Sequence, residues 1–186
     1  MREEAVILVD EKDNEIGLIS KTEAHKKALL HRAISVFIFN SKGDWLLQRR
    51  AFTKYHSGGL WTNSCCTHPF SNETNIDAAN RRLRQEMGMQ CPLTELFSFT
   101  YKEALDHELT EYEFDHVFIG ITDYIPRINS NEVSEFKYIK FKDLTHDMKK
   151  NPSHYSVWFK KITERVNLLK QNYITESLAG FLLIDL

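Results

Sequence analysis

Residues 74–88 constrain this chain most, because both ends of a helix are written into them. Thr74, with Asp77 three residues later, resembles a capping box, in which short polar side chains take up the free N–H groups of a first turn. Ala79, Leu83 and Met87 recur at helical spacing, and Gly88 suits the position just past the last turn, where a left-handed backbone is favoured. The segments around this helix read as strands. Residues 6–10 and 16–19 flank Glu11-Lys12-Asp13-Asn14, a polar turn, which predicts a hairpin. Residues 33–39 and 45–50 flank Asn40-Ser41-Lys42-Gly43-Asp44, a second hairpin pattern. Between them a short helix is expected, capped by Thr22 and running through His25 to Leu29. Residues 93–102, 113–123 and 136–141 read as further strands, and residues 153–173 as a long helix. Irregular alternation of this kind predicts a layered α/β (α+β) fold.

No repeat, low-complexity stretch or linker interrupts the 186 residues, so one domain over residues 1–186 is expected. A net charge of -2 lacks the basic excess of a nucleic-acid binder. No apolar run approaches the roughly 20 residues of a membrane helix. Asp10 interrupts the first apolar run too early for a secretory signal. The three cysteines, two of them adjacent, make a poor disulfide framework, so a reducing cytoplasm is expected. Neither nucleic acid nor membrane is therefore expected as a partner.

Two stretches carry chemistry. In Trp61-Thr62-Asn63-Ser64-Cys65-Cys66-Thr67-His68-Pro69, Cys66 and His68 enter a polar loop two residues apart. That pairing suits a metal site or a nucleophile with its base, whereas a lone buried cysteine is usually packing. In Thr110-Glu111-Tyr112-Glu113-Phe114-Asp115-His116-Val117-Phe118, strand alternation puts Glu111 and Glu113 on one face. The residues that follow are strongly apolar, so this strand is mostly buried. Two buried acids side by side repel unless a cation bridges them, and a metal is the natural partner. Taken singly, other residues have plain explanations. Arg82 and Glu86 stand four apart on the helix, as in a surface ion pair worth about 0.3–0.5 kcal/mol. Arg49-Arg50 reads as a strand end meeting solvent.

The string Trp-Thr-Asn-Ser-x-Cys-x-His-Pro over residues 61–69 resembles type I isopentenyl-diphosphate isomerase, a family of the Nudix superfamily. From Thr67 onward, five residues, Glu73, seven residues, Arg81 and then Glu86-Met87-Gly88-Met89 resemble the Nudix box itself. The box departs from the family pattern, with Thr67 for Gly, Arg82 for Glu and Gln85 for one of the paired metal-binding glutamates. A hydrolase needs a dense carboxylate cluster to hold metals and activate water. Thinned to Glu86, with Glu73 at its start, the helix is better suited to holding one hard cation against a phosphate. The resemblance runs from about residue 6 to residue 158 and leaves residues 174–186 outside. That tail's apolar end is expected to pack on the domain or on a partner.

The resemblance implies a mixed β-sheet sandwiched between helices, with an N-terminal β-hairpin extension. It implies His25, His31, His68, Glu111 and Glu113 as ligands of one Mn2+ or Zn2+ per subunit. Three imidazoles favour those borderline metals. It implies Mg2+ at Glu86 and the backbone carbonyl of Cys66, and no flavin. Lys21, Arg50, Lys54 and Arg82 would hold a diphosphate, and Tyr101 and Trp158 would lie near the reacting carbon chain. His56, His107, His116, His146 and His154 receive no role. The implied reaction is reversible isomerisation of isopentenyl diphosphate to dimethylallyl diphosphate, by a monomer or weak homodimer. In the forward direction Glu113, assisted by Tyr101, would protonate the alkene, and Cys66 thiolate would take the neighbouring proton. Trp61, Trp158 and the N-terminal segment would exclude water. Two alternatives stand beside this one: a Nudix pyrophosphohydrolase acting on a nucleotide, and a metal- or diphosphate-binding module without catalysis.

Overall fold

The computed structural model describes residues 5–54, 56–105 and 108–182. Its first elements are the expected hairpin, β1 (Ala5–Val9) and β2 (Glu15–Ser20). Helix α1 (Lys21–Lys26) follows, capped by Ser20 rather than Thr22, since the Ser20 hydroxyl accepts the Glu23 N–H at 3.3 Å. It stops short of Leu29 because Ala28 takes a left-handed backbone with φ 51°. Next come β3 (His31–Phe39), β4 (Trp45–Arg50), β5 (Trp61–Thr62) and β6 (Cys65–Thr67). The last two lie where sequence indicated only a loop. Helix α2 (Asn75–Met87) is capped as expected: the Asp77 N–H donates to the Thr74 hydroxyl at 3.2 Å. Gly88 ends it with φ 61°, where a Cβ would collide with the Arg127 carbonyl. Strands β7 (Thr94–Ala104), β8 (Thr110–Ile121) and β9 (Val133–Ile139) follow. Helix α3 (Phe141–Lys150) begins where a strand was expected to end. The expected helix over residues 153–173 divides into a single 3-10 turn, Pro152–His154, and α4 (Val157–Leu182). The packing expected of the tail lies outside the described residues.

Strand β3 organises the sheet. It runs parallel to β8, from His31 opposite Glu113 to Phe39 opposite Ile121, and β7 pairs antiparallel with β8. On the other side β3 pairs with β6 at Ile34–Val36 and with β4 at Ile38 and Phe39. Strand β1 touches β3 at Leu8 opposite His31, which joins the N-terminal hairpin to the sheet.

A strand buried on both faces loses the apolar/polar alternation of an edge strand. In β3, Ile34, Val36 and Ile38 pack toward Ala79, Leu83 and Met87 of α2. Phe37 and Phe39 pack on the opposite face with Trp158, Phe159, Ile162 and Val166 of α4. The sheet is thus sandwiched between two helices. Leu83 is fully buried in the first of these cores. Leu83→Ala is expected to destabilise the fold by about 2–5 kcal/mol, read from urea midpoints by circular dichroism.

Candidate active site

Four buried side chains, His25, His31, His68 and Glu113, bring donor atoms within 4.8 Å of one another. The backbone accounts for each arrival. His31 opens β3 directly opposite Glu113 on β8. The reversal at Ala28 turns α1 back on the sheet, so the His25 and His31 rings lie 5.1 Å apart. His68 follows β6, with its ring 5.1 Å from that of His31. Arg81 pins the His68 loop, donating to the His68 carbonyl at 3.1 Å and to Glu73 at 2.7 and 2.9 Å. Glu73, expected to open a metal-binding helix, is therefore engaged by Arg81.

Burial pushes His25 and His68 down to about 3, so both imidazoles are neutral, as metal ligation requires. The Nδ1–H of His31 donates to the Leu29 carbonyl at 2.8 Å, which leaves Nε2 as the basic nitrogen. His31 Nε2 and His68 Nδ1 are buried without a hydrogen-bond partner. Burial alone would raise Glu113, but the His31 imidazole at 3.6 Å and the His68 hydrogen bond at 3.2 Å outweigh it and hold the carboxyl well below its usual range. Orphaned imidazole nitrogens around an ionised carboxylate fit a divalent cation.

Glu111 lies beside this cluster rather than in it. Tyr101, opposite Glu113 across β7 and β8, donates to Glu113 Oε2 at 2.6 Å and reaches Glu111 Oε2 at 3.0 Å. Burial, then the Glu113 charge, pushes Glu111 up to about 8. The Tyr101 hydroxyl thus bridges the two buried acids.

Cys66 lies opposite Ser35 across β6 and β3, with Sγ 3.6 Å from the Ser35 hydroxyl. The Asn63 amide donates to Cys66 Sγ at 3.1 Å, and its carbonyl accepts the Trp158 indole N–H at 3.2 Å. One fully buried amide thus fixes both thiol and indole. Burial, then the charge of Asp115, pushes the Cys66 thiol up to about 12. Burial thus favours the thiol over the thiolate that the resemblance implies. Asp115, two residues beyond Glu113, accepts the Ser35 hydroxyl at 2.7 Å.

Cys66, Tyr101, Glu111 and Glu113 line a cavity of about 250 Å³ together with Lys21, Arg50, Lys54, Arg82 and Trp158. Every proton-handling and diphosphate-binding side chain expected from sequence therefore meets there. The Arg82–Glu86 pair, which taken alone would read as a surface ion pair, is enclosed: Arg82 Nη2 lies 2.5 Å from Glu86 Oε1, and Glu86 is 1% exposed. Gln48 donates to the other Glu86 oxygen at 2.7 Å. Trp61 does not join the cavity lining. Its ring lies 4.1 Å from the Lys137 ammonium, beside a separate cleft with Phe52 and Arg49. His56, given no role from sequence, lines the main cavity, and burial pushes it down to about 2. Glu132 lines the cavity as well and carried no sequence signal.

The NUDIX domain family matches residues 29–159. The chain is 50% identical over 164 residues to isopentenyl-diphosphate Delta-isomerase 2 of Aromatoleum aromaticum, spanning 88% of this chain and 87% of that protein. It is 52% identical over 160 residues to isopentenyl-diphosphate Delta-isomerase 2 of Photorhabdus laumondii, spanning 86% and 90% of the two. Among solved structures, the Deinococcus radiodurans protein DR0079 superposes with a TM-score of 0.71 at 22% identity, covering 87% of this chain and 98% of its own. A MutT protein from Methanosarcina mazei superposes with a TM-score of 0.62 at 16% identity, covering 77% of this chain and 95% of its own. These two likenesses speak for the fold, a mixed sheet between helices.

Proposed function

The chain belongs to the NUDIX domain family and, within it, to the isopentenyl-diphosphate Delta-isomerases, and from that membership we propose that Cys66 and the Tyr101–Glu113 pair move protons on the two sides of an isoprenoid diphosphate. The enzyme is an isomerase, and its substrate is the small diphosphate that its relatives are named for. The observation that carries the proton assignment is the convergence of Cys66, Tyr101 and Glu113 on a cavity that also presents Lys21, Arg50, Lys54 and Arg82.

Four cations suit a diphosphate, with the guanidinium groups gripping oxygens in pairs and the lysines adding point charges. Bound there, the substrate extends its five-carbon chain toward Trp158, Tyr101 and Cys66. Isomerisation forms one C–H bond at the terminal alkene carbon and breaks one at the neighbouring methylene, so no net proton is consumed. One group gives a proton while a second, on the opposite face, takes one, and the roles swap in reverse. Cys66 holds one face, and Glu113, hydrogen-bonded by Tyr101, holds the other. Between the two transfers the carbon skeleton carries positive charge, which the face of the Trp158 indole stabilises. Closing the aromatic cavity keeps water from capturing that cation.

His25, His31, His68 and Glu113, with Glu111 as a fifth donor, are the proposed ligands of one Mn2+ or Zn2+. Glu86 and the Cys66 carbonyl are the proposed seat of a Mg2+ that accompanies the diphosphate. When bound, these ions supply positive charge that fixes the Glu113 carboxylate and screens the phosphates. Both proton sites are protein side chains, so the reading includes no flavin. In this proposal residues 1–186 form one domain, a monomer or weak homodimer that works in a reducing cytoplasm without nucleic acid or membrane. Its three free cysteines agree with that compartment, and none of the helices among the described residues is long and apolar enough to cross a membrane. Hydrolysis of a nucleotide is disfavoured: Arg82 and Gln85 replace box carboxylates, and Glu73 is tied to Arg81.

Incubating the enzyme with isopentenyl diphosphate and Mg2+ in deuterated water tests the reading. Deuterium in dimethylallyl diphosphate, seen by NMR, is the expected result. Unlabelled starting material, or release of phosphate, would overturn it.

A further inference from the structure

We infer that Glu132 is a positioning residue of the diphosphate site, holding Lys54 and Arg82 at a fixed spacing across the cavity wall. The inference rests on the diphosphate reading above and assigns a role to a residue outside it.

Three separate segments meet here. Lys54 lies in the loop after β4, Arg82 on α2, and Glu132 immediately ahead of β9. A single oxygen, Glu132 Oε2, accepts from both cations, from Lys54 Nζ in a close ion pair and from Arg82 Nη2 at 2.8 Å. All three residues line the main cavity. Glu86 bounds the same two cations from behind, with Oε1 at 2.5 Å from Arg82 Nη2 and 3.8 Å from Lys54 Nζ. The cations therefore sit between two carboxylates, Glu86 buried and Glu132 partly exposed.

The backbone makes Glu132 a firm support. Its carbonyl accepts the Ala51 N–H at 2.9 Å, which ties it to the end of β4, and its own N–H donates to the Asn129 carbonyl at 2.9 Å. An ordinary exposed ion pair contributes little, because holding two long side chains offsets the attraction. Glu132 differs in joining two like charges that would otherwise repel and swing apart. Holding them before the ligand arrives removes an ordering cost from binding. An opposing effect exists, since a carboxylate in the cavity wall repels an anionic ligand. Its side chain is 27% exposed, so solvent screens that repulsion, while the contacts to Lys54 and Arg82 are direct. Positioning wins on that comparison.

The test uses the metal-loaded enzyme with saturating Mg2+. Glu132→Ala is expected to raise KM for isopentenyl diphosphate about tenfold while kcat changes less than about threefold, the split of a lost binding interaction. The Ki of inorganic diphosphate should rise by the same factor. Glu132→Gln, which keeps an acceptor but loses the charge, should fall between parent and Ala. In a Lys54→Ala background, removing Glu132 should cost markedly less than in the parent, because the two act together. Unchanged or lowered KM in Glu132→Ala, or effects that simply add with Lys54→Ala, would overturn the inference. If Glu132→Ala does not fold, Glu132→Gln carries the comparison alone, and a parental KM and Ki there count against it. Absence of turnover in the parent enzyme would instead count against the isomerase reading.

Discussion

Cys66→Ala is expected to lower kcat by about a thousandfold or more while the protein still folds. Removing a positioned proton donor or acceptor typically loses a factor of about 100 to 10,000. Nothing else at that position can replace the thiol. Asn63 and Ser35 are the polar groups bonded to the sulfur, and each already holds a structural bond elsewhere. The fold should tolerate the change. Cys66 is half-buried at the cavity wall, so deleting one sulfur leaves little void, at a stability cost of about 1 kcal/mol. Cys66→Ser separates bonding from proton transfer. Its hydroxyl still meets the Asn63 amide, but it is a much weaker acid than a thiol, so turnover should remain close to that of the alanine variant. Product formation measured beside thermal melting checks both claims. An alanine variant keeping more than about a tenth of parental kcat would remove Cys66 from the mechanism.

The parts of the fold legible in sequence were those with local causes. Helix α2 carried its own caps, Thr74 and Gly88, and both function as written. Strand β4 matched over residues 45–50 because turn residues stop it on one side and paired arginines on the other. The misses have non-local causes. Strands β5 and β6 span two and three residues, too short for any periodicity, and exist because β4 and β3 offer edges to pair with. Helix α3 begins after Lys140, whose side chain makes no capping bond, so its start was unmarked. Strand β3 was read two residues late because His31 and Arg32 look like surface residues. His31 is instead fully buried in the histidine cluster.

The site divides in the same way. Cys66, His68, Glu111 and Glu113 stood in distinctive strings, and the resemblance placed the basic set, all of which reach the cavity. Ser35, Gln48 and Glu132 carry no sequence signal because each acts through a partner brought near by tertiary folding, Asp115, Glu86 and Lys54 respectively, and Asn63 stands in the distinctive string but shows its contact with Cys66 only in the fold. Asp115 had a signal that went unread. It continues the Glu111, Glu113 alternation by one more step onto the same buried face. Sequence shows which acid is present, but protonation depends on how much solvent and opposite charge the fold leaves beside it.

Glu113→Gln tests the other proton site and the metal cluster at once. The amide has nearly the shape of the carboxylate and can still accept the Tyr101 hydroxyl, so the local geometry should survive. It loses the negative charge that His31 and His68 face at 3.6 and 3.2 Å. Losing that charge weakens divalent-metal binding, because the remaining cluster members are imidazoles that carry no negative charge, and it also removes a proton-handling group. Purified Glu113→Gln is therefore expected to carry substoichiometric Mn2+ or Zn2+ and to turn over about a thousandfold more slowly than the parent. The fold should not suffer, since the change also ends the repulsion that pushes Glu111 up. Metal analysis by mass spectrometry, kcat and thermal melting on one preparation separate the two roles. Full metal occupancy with a collapsed kcat would leave Glu113 as a proton-handling group alone. Restoration of turnover by excess metal would make it a ligand alone. Parental turnover at parental metal content would exclude it from both, and would shift the proton work on that face to Tyr101 and Glu111, the other polar groups that meet there.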